Sequence, residues 1–131
     1  MSLEFFMPMM PPTVTHQEKK ITGRGKKKIV YEPMELKDAR AKLRAHLARH
    51  RPDKPYTGAV RLVTKWCFLP VGEHEHGEWK TTKPDTDNMI KLLKDCMVQE
   101  GFFVNDAIVA SEMTEKFWAD PPGIFVGIYE L

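Results

Sequence analysis

Lys83-Pro84-Asp85-Thr86-Asp87-Asn88-Met89-Ile90-Lys91-Leu92-Leu93-Lys94-Asp95-Cys96-Met97 is the stretch on which the rest of the chain is organised. Pro84 disfavours helix for the residue before it and suits an element boundary. Asp85 or Asp87 then serves as an N-cap, because a carboxylate accepts from the unpaired N–H groups of a first helical turn. Met89, Ile90, Leu93, Cys96 and Met97 recur at helical spacing and predict one buried face. Gly101 stands where a helix ends.

Asp87 and Lys91 are four apart and share a helical face, and Asp95 extends the same line. With the apolar face turned inward, Asp85, Asp87 and Lys91 look outward or into a cleft. Two readings follow. One is a capped, salt-bridged surface helix. The other is a site for a hard divalent cation, since Mg²⁺ takes oxygen ligands and draws only one or two carboxylates from protein.

A third acid bears on the choice. Gly101-Phe102-Phe103-Val104-Asn105-Asp106-Ala107-Ile108-Val109 follows the helix. Asn105-Asp106 signals a turn and Ala107-Ile108-Val109 the start of a strand. An extended segment rises more than twice as far per residue as a helix, so a return of Asp106 to the helix mouth is feasible.

The pattern Asp85-x-Asp87-Asn88-x-x-Lys91, then Gly101-Phe102, then Asp106-Ala107, resembles the RusA family of Holliday-junction resolvases, most closely over Pro84 to Val109. Pro11-Pro12-Thr13 is similar to the family's Pro-Pro-Ser entry after its first strand. An asparagine common after it is absent; Val14, Thr15 and His16 stand there. The resemblance implies a small mixed α/β fold, a homodimer, and Mg²⁺-dependent nicking of four-way DNA junctions, with Mn²⁺ as a substitute metal. It implies metal-site roles for Asp85, Asp87 and Asp106, and a catalytic role for Lys91 as well.

The chain has 131 residues, 42% hydrophobic, which predicts one compact domain over 1–131. Met1-Ser2-Leu3 matches a cloning remnant. A net charge of +2 does not by itself announce nucleic acid, but the charge is uneven. Lys19, Lys20, Arg24, Lys26, Lys27 and Lys28 form one basic segment, interrupted by Gly23 and Gly25. It reads either as a solvated hairpin or as a phosphate contact; no aromatic within it suits base stacking. Cys67 and Cys96 sit among apolar residues and read as buried thiols, which fits a cytoplasmic protein. There is no run of ~18 apolar residues to span a membrane and no secretion signal.

Leu3–Met7 predicts a first strand, ended by prolines. Leu36, Ala39, Leu43 and Leu47 predict a helix from Pro33 to His50, its remaining surface rich in Lys and Arg. Gly58–Leu69 alternates with both sets partly apolar, which predicts a central strand with Trp66 in the core. Pro70–Lys83 reads as a polar loop bordering the site, bringing Lys80 and Lys83 near a phosphate path. His74-x-His76 within it is a weak transition-metal motif. Ile108–Phe117 and Gly123–Glu130 read as a closing hairpin turning at Asp120-Pro121-Pro122-Gly123. Trp118 is either a core edge or a dimer contact. The fold class is α+β, within the broad α/β group: a mixed sheet with two main helices.

Three functions compete. A metal-dependent nuclease uses the acids as ligands. A DNA-binding module without catalysis uses only the basic segment, and leaves unexplained why carboxylates lie near a phosphate path. A nuclease acting on flaps or other branched DNA uses the same residues. An EF-hand is excluded, because Met89 and Ile90 occupy its third ligand position and its required glycine.

Overall fold

The computed structural model describes residues 2–14, 20–22 and 29–131. The elements in chain order are β1 (Ser2–Pro8), β2 (Lys20–Thr22), β3 (Ile29–Tyr31), α1 (Met34–Ala48), β4 (Val60–Phe68), β5 (Glu78–Trp79), α2 (Thr86–Gln99), β6 (Val109–Trp118) and β7 (Gly123–Glu130). A single 3₁₀ turn, Asp106–Ile108, precedes β6. β2 and β3 pair as a separate antiparallel ribbon. The other five strands form one sheet in the order β1-β7-β4-β6-β5, an α+β arrangement with β4 at its centre.

That order corrects one expectation. β6 and β7 are consecutive but not paired, because β4 lies between them, parallel to β6 and antiparallel to β7. The Asp120-Pro121-Pro122 segment therefore crosses the end of β4. The crossing spans two strand spacings, about 10 Å, which four extended residues cover. Ala119 N–H donates to Phe68 O at 2.8 Å and ties the crossing to the strand end.

Alternation sorts the sheet into two faces. Leu62, Thr64, Trp66 and Phe68 of β4 point the same way as Ile124, Val126 and Ile128 of β7 and Phe5 and Met7 of β1. Leu36, Leu43 and Leu47 of α1 and Met89, Leu93, Cys96 and Met97 of α2 complete one buried cluster against them. Full burial of each large apolar side chain contributes roughly 1.5–3 kcal/mol. Trp66 is core, its indole N–H donating to Thr64 Oγ1 at 3.0 Å, and Trp118 is buried with it.

The opposite face is uncovered by any described element. Its rows run Glu4, Gly127, Val63, Met113, then Phe6, Phe125, Lys65, Glu115, then Gly123, Cys67, Phe117, Trp79. Met113 is 51% exposed and Trp79 59%. The two glycines are sterically required. A Cβ on Gly123 would lie 2.2 Å from Phe6 Cζ and 2.6 Å from Met7 O; one on Gly127 would lie 2.4 Å from the Tyr129 hydroxyl. Two aromatic rings thus lie down on the sheet where β7 has no side chain.

Glu100 locks the helices together. This buried carboxylate accepts from Arg44 Nε of α1 at 2.6 Å and from Arg51 beyond it. The two guanidiniums hold its carboxyl below the usual carboxylate range, Arg51 contributing most. Burial pushes the Cys96 thiol up to about 11. Both cysteines are free thiols.

Candidate active site

α2 starts where the sequence indicates. Asp85 is its N-cap by backbone position, with its carbonyl accepting from Met89 N–H at 3.1 Å, but its carboxylate makes no capping hydrogen bond. Gly101, at φ +84°, takes the left-handed conformation just past the helix end. Asp85, Asp87 and Lys91 are all exposed. No hydrogen bond or ion pair engages these three side chains among the described residues, so Asp87 and Lys91 do not form a surface salt bridge. The donor set at the mouth of α2 is thus two carboxylates uncommitted to protein partners, the oxygen chemistry that a hard divalent cation takes.

Asp106 is not brought to them. It opens the 3₁₀ turn, where Asn105 Oδ1 accepts from Ala107 N–H at 2.8 Å. It lines a cleft of ≈ 620 Å³ with Glu32, Arg40, Asp95, Val98, Gln99, Val104 and Asn105, beside the far half of α2. From Asp87 to the level of Asp95 the helix rises about 12 Å. Among the described residues no group of three His, Cys, Asp or Glu stands close enough to hold a metal. The return path explains the difference. β6 does run back along α2, with Glu112 accepting from Lys94 Nζ at 2.8 Å. Asp106 lies at the start of that path. The residue that arrives at the mouth of α2 is Lys116, whose Nζ donates to Thr82 O at 2.7 Å and Pro84 O at 2.8 Å.

Lys80 also departs from expectation. It is 8% exposed, not on an open phosphate path. Its Nζ donates to Thr82 Oγ1 at 2.6 Å and lies 4.0 Å from the Trp118 ring centroid and 5.1 Å from that of Phe68. Burial, then the neighbouring Lys116, lower its pKa from the ordinary lysine value. Lys83, by contrast, is exposed. Lys20 opens β2; Lys19, Arg24, Lys26, Lys27 and Lys28 lie outside the described residues. The histidines of the polar loop have protein partners. His74 Nδ1 contacts Glu78 Oε1 at 3.0 Å and its ring stacks on Trp118, while His76 Nδ1 accepts from Asp120 N–H at 3.0 Å.

Lys116 escaped the sequence reading, although a signal existed. In β6, Glu112, Thr114, Lys116 and Trp118 are in register with the inward-facing Leu62, Thr64, Trp66 and Phe68. A lysine at such a position needs oxygen partners, and the loop before α2 supplies them.

No curated protein matches the chain. The family described as Endodeoxyribonuclease RusA matches residues 9–129. No helix among the described residues is long and apolar enough to cross a membrane. Because the family match runs nearly from end to end and contains β4, both helices and all three aspartates, the chain belongs to the RusA family and is an endodeoxyribonuclease.

Proposed function

We propose that this protein is a divalent-metal-dependent Holliday-junction resolvase that works as a homodimer and nicks four-way DNA junctions in recombination and repair. The observation that carries the reading is the pair Asp85 and Asp87, exposed and without partners among the described residues at the mouth of α2, inside a RusA-family match. RusA-family nucleases are generally divalent-metal dependent, and the family acts on branched DNA.

Asp85 and Asp87 would hold the metal, Mg²⁺ or in its place Mn²⁺. When bound, it supplies Lewis-acid polarisation of the phosphoryl oxygens and a more acidic water. The chain's own residues set the conditions. The two carboxylates repel phosphate until a cation neutralises them, so metal binding and DNA binding strengthen each other. The positive end of the α2 dipole favours the phosphate. Lys91, one turn in, offers its ammonium to the phosphoryl charge or the leaving oxygen. Lys83 and the basic segment Lys19, Lys20, Arg24, Lys26, Lys27 and Lys28 contact flanking phosphates and position the junction. Free thiols at Cys67 and Cys96 accord with a cytoplasmic setting.

Asp106 joins the site from a second copy of the chain. In its own chain it shares a cleft with Asp95, whose level on the helix is about 12 Å from Asp87, so one protomer presents an incomplete set of acids. A four-way junction has approximate two-fold symmetry, which an isologous dimer matches with one site per nicked strand.

Subunit mixing tests this reading. Asp87→Asn and Asp106→Asn homodimers are each inactive. In the mixed dimer, one site carries both substitutions and the other carries neither. The mixed dimer therefore nicks one strand of a synthetic junction in Mg²⁺ and none in EDTA. A mixed dimer with no nicking places all three acids within one chain's site, and an active Asp106→Asn homodimer removes Asp106 from it. Wild-type cleavage of a flap or a linear duplex in preference to the junction would overturn the junction assignment.

A further inference from the structure

The segment Thr81–Asp85 carries the chain into α2, yet its backbone is only lightly held. Lys80 N–H donates to Lys116 O at 3.1 Å at one end and Asp85 O accepts from Met89 N–H at the other. Between them, three of the segment's oxygens are taken by two ammonium groups. Lys116 binds two carbonyls, Thr82 O and Pro84 O, and Lys80 binds the Thr82 hydroxyl. Both lysines are anchored in rigid surroundings. Lys116 stands on β6, whose backbone pairs with central β4 along its length. Lys80 is buried over the Trp118 ring.

We propose that Lys116, assisted by Lys80, is a positioning residue for the metal site, fixing the Thr82–Pro84 backbone so that Asp85 and Asp87 are presented together at the mouth of α2. This rests on reading Asp85 as a metal ligand. Two features separate the pair from ordinary surface lysines. Their hydrogen bonds go to backbone and hydroxyl oxygens of a single loop and not to a carboxylate. They also place two like charges around one threonine, an arrangement that repels and is retained only because both find oxygens there. Lys116 gives two of its three N–H donors to this loop and Lys80 is buried, so the contribution assigned to them is to geometry. Carboxylates must be held to within a fraction of an ångström to share a cation, and a supporting shell left loose weakens the site without removing a ligand.

The test separates positioning from simple support. Mn²⁺ binding to the DNA-free protein is followed by the loss of its free-ion magnetic-resonance signal. Metal dependence is followed by single-turnover junction cleavage, and junction affinity is measured in EDTA. Lys116→Met weakens Mn²⁺ binding about tenfold, the scale seen when outer partners of metal ligands are removed. It raises the metal concentration for half-maximal cleavage by the same factor and leaves junction affinity unchanged. Lys116→Arg, which still donates to both carbonyls, restores most of the loss. If Lys116→Met lowers the melting temperature while Mn²⁺ affinity and metal dependence stay at wild-type values, the lysine is only structural and the proposal fails. Should Lys116→Met not fold, Lys116→Gln, which keeps a donor, carries the same comparison. Asp85→Asn keeps the two readings apart. If it binds Mn²⁺ and cuts like the wild type, Asp85 is no ligand, and the metal-site reading falls before the clamp does.

Discussion

Glu100→Gln removes one charge from the junction of α1, α2 and the Arg51 segment while keeping its shape. Glu100 is buried and accepts from Arg44 and Arg51, whose side chains are 46% and 55% exposed. A hydrogen bond to a charged group contributes roughly 1.5–3 kcal/mol when buried. Solvent reaches both guanidiniums, so about 1 kcal/mol for each pair is a fairer figure. The substitution should therefore cost about 2 kcal/mol at neutral pH, and lower the melting temperature by about 8 °C in a chain of this size. The pH dependence has a definite sign. The folded carboxyl is held below its ordinary value by Arg51 first and Arg44 second. Its contribution is complete above the unfolded value of about 4.3 and is lost as pH falls through the lower, folded value. Urea unfolding of both proteins from pH 7 to pH 3 measures this. The gap between wild type and Glu100→Gln should be flat down to about pH 5 and shrink below about pH 4. A gap unchanged at pH 3, or none at pH 7, would show that the charge of Glu100 does not hold the helices.

Asp87→Asn should keep the melting temperature and junction affinity, or tighten the latter by relieving repulsion of phosphate, while losing most single-turnover cleavage; near wild-type cutting would remove Asp87 from the metal site. Replacing Lys26, Lys27 and Lys28 together by alanine should weaken junction binding in Ca²⁺ and flatten the slope of log affinity against log salt by about 2. Cleavage at saturation should change little, and an unchanged slope would make the segment a solvated loop. Gly123→Ala should cost about 1–3 kcal/mol in urea unfolding, and Phe6→Ala in the same chain should restore only part of it, since Met7 O still blocks the added methyl.

Local signals carried much of this fold because they coincide with its physics. The spacing of Met89, Ile90, Leu93, Cys96 and Met97 marks the buried face of α2 because a helix packed on a sheet has one dry side. The double alternation of Val60–Phe68 marks a central strand because its outer face, with Val63 and Cys67 half-buried, is itself crowded by neighbours. Pairing was less legible. Nothing local in Ile108–Phe117 and Gly123–Glu130 tells a hairpin from two strands flanking a third; the choice is made by β4, forty residues earlier. The site was legible as chemistry and not as distance. Asp85, Asp87 and Lys91 fall on the exposed mouth of α2 as their spacing requires. The place of Asp106 depends on where β6 joins the sheet, and the inward turn of Lys80 depends on Trp118 lying under it, neither of which a linear pattern encodes.

The uncovered sheet face has an optical consequence. Of the three tryptophans, Trp66 and Trp118 are buried, while Trp79 is open to solvent and stacked on Phe117 at a centroid distance of 4.5 Å. Red-shifted, acrylamide-quenchable emission from the folded chain therefore comes from one indole at one edge of that face. Anything that settles on this edge, a second protomer or an arm of DNA, shields Trp79 and turns its emission blue, while the two core indoles stay constant. The molecule carries its own reporter for the one broad surface that its helices leave bare, readable without a label.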